Sequence, residues 1–119
     1  DYVNAMWLML RQDKPDDYVI ATNQTKSVRE FVKQACICAG IDIEFEGEGI
    51  NEVVRDRKTG KIIIKVNPKF FRPAEVDILI GDAKKAEEKL GWKREIDFNT
   101  LVERMVLNDL ELVKNEVGA

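Results

Sequence analysis

The feature that most constrains how this chain folds is a helix with capping signals at both ends, followed at once by a strand in which apolar and acidic residues alternate. Ser27–Glu30 has the form of a capping box, in which the serine hydroxyl accepts from an orphan helical amide and the glutamate reaches back. Gly40 is placed to end that helix in the left-handed conformation. Ile41, Ile43 and Phe45 then alternate with acidic residues, which is the period of a half-exposed strand. The pattern predicts a mixture of helices and strands.

A β-hairpin is predicted after this strand. Asn51–Asp56 and Lys61–Val66 flank the turn residues Arg57–Gly60. The run Ile62–Ile64 also fits a central strand, because consecutive apolar residues show no period of two.

The remaining periodic segments complete a small mixed α/β fold. We expect fraying beyond Leu112, where the chain offers little to dock. The other predicted elements are a helix in Asp1–Gln12, a short buried strand at Tyr18–Thr22, a packed segment at Val76–Ile80, a helix from Asp82 to Gly91 and a last helix starting near Asp97 or Asn99.

Composition narrows the class of protein. The 119 residues leave room for one domain with a modest core. A net charge of −3 argues against a protein that coats nucleic acid or an anionic membrane. Asp1–Asn4 lack the basic start of a signal peptide, and no stretch approaches the roughly 20 apolar residues of a membrane span. We expect a cytoplasmic protein with neither a nucleic-acid nor a membrane partner.

The cysteines and tryptophans are expected to be structural. Cys36 and Cys38 lie two apart in a helical pattern and therefore point in different directions. With no histidine, buried reduced thiols are favoured over a metal site or a disulfide framework. Trp7 and Trp92 are both expected to pack where a helix meets the core.

The sequence lacks the motifs of a self-sufficient catalyst. It contains no dinucleotide-binding Gly-x-Gly-x-x-Gly and no P-loop. Tyr2 and Tyr18 are followed four places on by Met6 and Thr22, so the Tyr-x-x-x-Lys pair of short-chain dehydrogenases is absent. We therefore assign no catalytic, cofactor-binding or metal residue, and the residues alone support a small ligand-binding unit.

Arg72 and Glu75 are the candidate binding residues, on a segment stiffened by Pro73. A guanidinium grips phosphate oxygens through two parallel hydrogen bonds, and a carboxylate accepts from sugar hydroxyls. Because proline restricts its neighbour, Arg72 is expected to be extended at the end of a strand, with Glu75 in the turn that follows. An exposed ion pair is the simpler alternative. Other candidates for a local basic site are Lys65, Lys69, Arg55 and Arg57.

A series of motifs, in order along nearly the whole chain, resembles the GDP-mannose 4,6-dehydratase family. The Lys-Ala and Leu-Gly-Trp parts are shared widely by extended short-chain dehydrogenases/reductases, whereas the hairpin and Phe-Arg-Pro-Ala-Glu-Val are more particular. The matching segments are Asp1–Trp7, Asp17–Thr22, Ser27–Phe31, Asn51–Val53 with Arg55–Asp56, Thr59–Lys61, Phe71–Asp77, Gly81–Asp82, Lys85–Ala86, Leu90–Trp92, and Met105–Val106 with Asp109–Leu110.

The resemblance implies a two-domain parent enzyme. Its amino-terminal Rossmann domain would hold NADP and the catalytic threonine, glutamate, tyrosine and lysine. Residues 1–119 would be the carboxy-terminal nucleotide-sugar-binding portion, a substrate-binding α/β domain lacking most or all of the Rossmann domain. As such a fragment it would be inactive alone, and the full-length protein would form a homo-oligomer.

The resemblance also implies a reaction and two residue roles. GDP-mannose would be oxidised at C4, lose water across C5 and C6, and regain hydride at C6. The product, GDP-4-keto-6-deoxymannose, would feed GDP-fucose and related deoxysugars. Arg72 would bind the diphosphate of the substrate and Glu75 a ribose hydroxyl.

Some positions depart from the family pattern. Asn23 and Val54 stand where glycines are common, and asparagine also enters the left-handed region. Lys69-Phe70 replaces an arginine-tyrosine pair, so a hydroxyl and a bidentate fork are lost just before Arg72. Two alternatives stay open: a truncated, non-enzymatic paralogue acting as a nucleotide-sugar-binding or assembly module, and a dehydratase or epimerase for another nucleotide sugar.

Overall fold

The computed structural model describes residues 1–118, and within them the predicted mixed α/β fold is confirmed. The elements are α1 (Tyr2–Leu10), α2 (Val28–Cys38), β1 (Ile43–Glu46), β2 (Val53–Asp56), β3 (Ile62–Lys65), α3 (Lys84–Leu90) and α4 (Phe98–Val117), with short 3-10 turns at Gly49–Asn51 and Pro68–Phe70.

These elements form two compact units. The first unit comprises Asp1–Lys26 and Val76–Phe98, and so contains α1 and α3. The second unit comprises Ser27–Glu75 and the chain from Asn99 onward, and so contains α2, the sheet and most of α4.

Three alanines, one leucine and one tryptophan make the buried core of the first unit. Ala5 of α1 and Ala86 of α3 are fully buried, and alanine lets two helices approach closely. Trp92 follows α3 and is only 1% exposed. Its indole N–H donates to the carbonyl oxygen of Asp1 at 2.9 Å, which satisfies the polar end of this large side chain. Gly91 is left-handed, ends α3 where the predicted helix ends, and turns the chain so that Trp92 reaches this core.

The strand predicted at Tyr18–Thr22 is wrong. Tyr18, Ile20 and Ala21 do pack against the core of the first unit, but the segment forms no ladder with the described residues. The apolar pattern of this segment indicates that its side chains are buried. A β-strand also needs a neighbouring strand to hydrogen-bond with, which burial does not provide. The chain instead passes very close to Gly81, where an added Cβ would lie 2.5 Å from the Cβ of Ala21.

The expectation that Val76–Ile80 is packed is also wrong. Val76, Ile78, Leu79 and Ile80 are 56–79% exposed. The segment is neither helix nor strand, so its consecutive apolar side chains point in several directions and no single face is covered.

Both predicted ends of α2 are confirmed. The hydroxyl of Ser27 accepts from the amide of Glu30 at 3.1 Å, and the Glu30 carboxylate accepts from the Ser27 amide at 2.8 Å. Gly40 follows with φ +72°, a conformation that costs other residues more than glycine.

The predicted hairpin is confirmed as part of a three-stranded antiparallel sheet in the order β1-β2-β3. Ile43 pairs with Asp56, and Val54 pairs with Ile64. Because β3 is at the edge, Ile62–Ile64 is not a central strand, and its side chains stay 39–50% exposed.

Helix α4 begins within the predicted range but ends later than expected. It runs from Phe98 to Val117 with Val102 fully buried, so fraying beyond Leu112 is wrong. Leu112, Lys114 and Glu116 favour a helix by propensity, and each residue added to an existing helix gains one backbone hydrogen bond.

The tryptophans and cysteines divide by environment. Trp92 packs as predicted, whereas Trp7 is 53% exposed and stacks against the guanidinium of Arg11, 4.5 Å from the ring centroid. Cys36 and Cys38 are free thiols, as expected; Cys36 is buried and Cys38 half-buried. Burial raises the pKa of the Cys36 thiol.

Replacing each tryptophan by alanine tests this division. Trp92→Ala removes a buried aromatic side chain, so we expect a loss of about 3–5 kcal/mol in the free energy of unfolding. Trp7→Ala removes an exposed cation–π contact, for which about 0.5–1 kcal/mol is expected. Chemical denaturation followed by circular dichroism measures both, and equal losses would contradict the assignment of the core.

Candidate functional site

The candidate binding segment is placed by a short turn that follows the hairpin. The side chain of Asn67 accepts from the amide of Lys69 at 3.0 Å and so caps the 3-10 turn Pro68–Phe70. Phe71 then leaves the turn in an extended conformation, with φ −68° and ψ 128°. The prediction that Arg72 ends a strand is wrong, because β3 stops at Lys65 and this turn intervenes.

Arg72 and Glu75 are brought together at the surface of the second unit. Nη1 of Arg72 lies 3.6 Å from Oε1 of Glu75, and the two side chains are 77% and 64% exposed. An ion pair this exposed contributes little stability, since water solvates both partners well. The guanidinium and the carboxylate therefore remain accessible to a ligand that carries both an anionic group and hydroxyl groups.

Arg55, in contrast, is committed to the sheet. Its Nε and Nη2 donate to the two carboxylate oxygens of Glu46 at 2.8 and 3.0 Å. Its Nη1 donates to the carbonyl oxygen of Gly60 at 2.6 Å. Hydrogen bonding to Arg55 lowers the pKa of Glu46, and the same pair raises the pKa of Arg55. Arg55 thus ties β2 to β1 and to the hairpin turn, and it is not a free phosphate ligand.

The other basic candidates are dispersed. Nε of Arg57 lies 3.9 Å from Asp42, at the turn end of the hairpin. Lys65 lines a groove described below. Only Lys69 shares the short segment of Arg72, and its ammonium lies 5.6 Å from the ring centroid of Phe70.

A groove lined from α2 and the sheet is a feature that the sequence did not predict. It has a volume of about 330 Å³ and a mainly apolar lining. At its rim the guanidinium of Arg29 is paired with the carboxylate of Glu52 at 2.7 Å. A diphosphate would find no free cation in that pair. The apolar members of the lining include Val32, Phe45, Val54, Ile64 and Val66.

Two polar residues of the first unit hold α3 in place. The amide group of Asn23, at φ +56°, accepts from the amide of Ala83 at 3.0 Å and donates to Glu87 at 3.1 Å. The left-handed backbone expected of Asn23 is therefore confirmed, and its capping contact could not be predicted across 60 residues of sequence. The ammonium of Lys85 donates to the carboxylate of Asp16 at 2.9 Å.

Two further possibilities for the described residues are a metal site and a membrane-spanning helix. Within residues 1–118, acidic and cysteine side chains do not converge in any group of three that could hold a metal ion. None of the helices described above is both long and apolar enough to cross a membrane.

Comparison with known proteins decides the family. The family model described as GDP-mannose 4,6 dehydratase matches residues 1–105. The chain belongs to this family, as its motifs predicted.

Curated relatives agree along the whole chain. A GDP-mannose 4,6 dehydratase of Cricetulus griseus is 50% identical and one of Homo sapiens is 49% identical, each over 119 residues, covering 100% of this chain and 32% of the relative. A GDP-mannose 4,6-dehydratase of Yersinia enterocolitica is 47% identical, covering 96% of this chain and 33% of the relative. The chain therefore spans about a third of the length of these relatives.

The Glu46–Arg55 pair predicts how acid affects this GDP-mannose dehydratase family member. Because the folded state lowers the pKa of Glu46 below its ordinary 4.5, the pair stabilises the fold above that value and is lost as pH falls through the lowered pKa. We expect Glu46→Gln to lower the melting temperature at pH 7, and the difference from wild type to shrink on acidification. Thermal melts between pH 7 and pH 3 measure it.

Glu48→Gln is the matched control, because the Glu48 side chain makes no hydrogen bond or ion pair with the described residues. It should leave the melting temperature close to that of wild type across the same range. A Glu46→Gln deficit that is as large at pH 3 as at pH 7 would contradict the role given to this carboxylate.

Proposed function

We propose that this chain forms the nucleotide-sugar-binding part of a GDP-mannose 4,6-dehydratase, a lyase that converts GDP-mannose to GDP-4-keto-6-deoxymannose with net loss of water. The observation that carries the proposal is the family match over residues 1–105, together with about 50% identity to relatives named for this activity. A cytoplasmic location, assembly into homo-oligomers and supply of GDP-fucose synthesis belong to the same proposal.

Arg72 and Glu75 supply the binding chemistry in this proposal. A diphosphate carries several anionic oxygens, and a guanidinium can donate hydrogen bonds to two of them at once. The carboxylate of Glu75, 3.6 Å from that guanidinium, is placed to accept from a hydroxyl of the adjoining ribose. Phosphate and ribose are neighbours in every nucleotide, so a cation and an acid held side by side match their order.

NADP, which the family resemblance implies, does not fit the described residues. Dinucleotides bind where a glycine-rich turn joins a parallel strand to a helix. The sheet of residues 1–118 is antiparallel throughout, and the sequence has no such glycine motif. We assign the cofactor and the catalytic residues of the proposed reaction to parts of the enzyme other than these residues, and expect residues 1–119 alone to be inactive.

Arg72→Ala in the full-length protein tests the proposal. Loss of a charge-assisted hydrogen bond costs about 1.5–3 kcal/mol, so the KM for GDP-mannose should rise roughly ten- to hundredfold. Arg72→Lys keeps the charge and loses the fork, and an intermediate KM is expected. Steady-state kinetics give KM, and calorimetry with GDP-mannose, UDP- and CDP-sugars gives the nucleotide preference.

Arg57→Ala is the matched control, because Arg57 is an exposed arginine of the same unit near an acidic partner. Its KM should equal that of wild type. Unchanged kinetics in Arg72→Ala would reject the assignment of the diphosphate site. Binding of GDP-mannose without turnover would favour the non-enzymatic module, and tighter binding of another nucleotide sugar would favour a dehydratase or epimerase of different specificity.

A further inference from the structure

An exposed aromatic ring lies two residues before Arg72. Phe70 is 72% exposed, although a phenylalanine in water forfeits the stabilisation that burial would bring. The ammonium of Lys69 lies 5.6 Å from the centroid of its ring, so a cation sits beside it.

The local backbone directs Phe70 and Arg72 outward from the same short loop. Phe71, between them, has an extended backbone and is the less exposed of the two phenylalanines, at 40%. Arg72 is 77% exposed. Residues two apart along the chain have Cα atoms at most about 7 Å apart. That span is comparable to the ribose and ester linkage that separate a nucleobase from its phosphates.

We propose that Phe70 is the stacking surface for the purine base of the nucleoside diphosphate, with Lys69 adding positive charge beside it; this inference rests on the proposed function. Aromatic rings bind bases through their π-faces, and every base offers such a face. A base stacked on Phe70 would cover the exposed ring, while the phosphates reach Arg72 and the ribose reaches Glu75. The loop from Lys69 to Glu75 then contacts all three parts of one nucleotide.

Phe70→Leu and Phe70→Tyr in the full-length protein test this assignment. Leucine keeps the apolar bulk but removes the π-face, so the affinity for GDP should fall about tenfold. Tyrosine keeps the ring, and GDP affinity should stay within about twofold of wild type. Inorganic pyrophosphate has no base, so its affinity should be the same in wild type and both variants. Isothermal titration calorimetry measures GDP and pyrophosphate separately.

The outcomes separate this inference from the function on which it rests. Selective loss of GDP affinity in Phe70→Leu, with tyrosine rescuing it, supports base stacking. Wild-type GDP affinity in Phe70→Leu, or an equal loss of GDP and pyrophosphate affinity, overturns the stacking role while leaving Arg72 as a diphosphate ligand. A wild-type protein that binds neither GDP nor pyrophosphate rejects the proposed function and the stacking role together.

Discussion

Three hydrogen bonds of Arg55 tie together the strands of the sheet in the second unit. Arg55 lies on the central strand, and its guanidinium joins the carboxylate of Glu46 on β1 to the carbonyl of Gly60 in the hairpin turn. A single side chain thereby adds to the backbone pairing of β1 with β2 and holds the hairpin turn against the sheet. The candidate binding loop, Lys69 to Glu75, follows β3 by way of the turn Pro68–Phe70, so the hairpin helps to set its position.

Arg55 and Arg72 have different roles because their surroundings differ. Arg55 already uses three of its five N–H donors within the sheet, and the Glu46 carboxylate pairs its charge, so it is poorly suited to bind a phosphate. Arg72 has only a 3.6 Å approach to an exposed acid, and a diphosphate, with two negative charges, competes well with one carboxylate in water. The proposed nucleotide site is therefore found where the protein leaves a cation incompletely paired, and not where its arginine contacts are strongest.

Family membership and the local geometry support the proposed function at different levels. About half of the residues are identical to those of relatives named GDP-mannose 4,6-dehydratase, and the match extends along the chain. The geometry adds which side chains are accessible to a nucleotide. The sheet of the described residues is antiparallel, whereas dinucleotides bind at the ends of parallel strands.

Local signals were sufficient for much of the fold. The capping box of Ser27, the left-handed Gly40 and the turn before Lys61 depend on nearest neighbours, so the sequence by itself determined α2 and the hairpin. Sequence also determined the family and the candidate pair Arg72 and Glu75. The sequence wrongly predicted a strand at Tyr18–Thr22 and a packed segment at Val76–Ile80. An apolar run indicates a preference for burial, but it does not show which surface the side chains can pack against. Only tertiary structure decided that Arg55 is hydrogen-bonded to Glu46, that Trp7 is exposed and Trp92 buried, and that Phe70 faces solvent. Those outcomes depend on contacts between residues far apart in the chain, which local propensity does not encode.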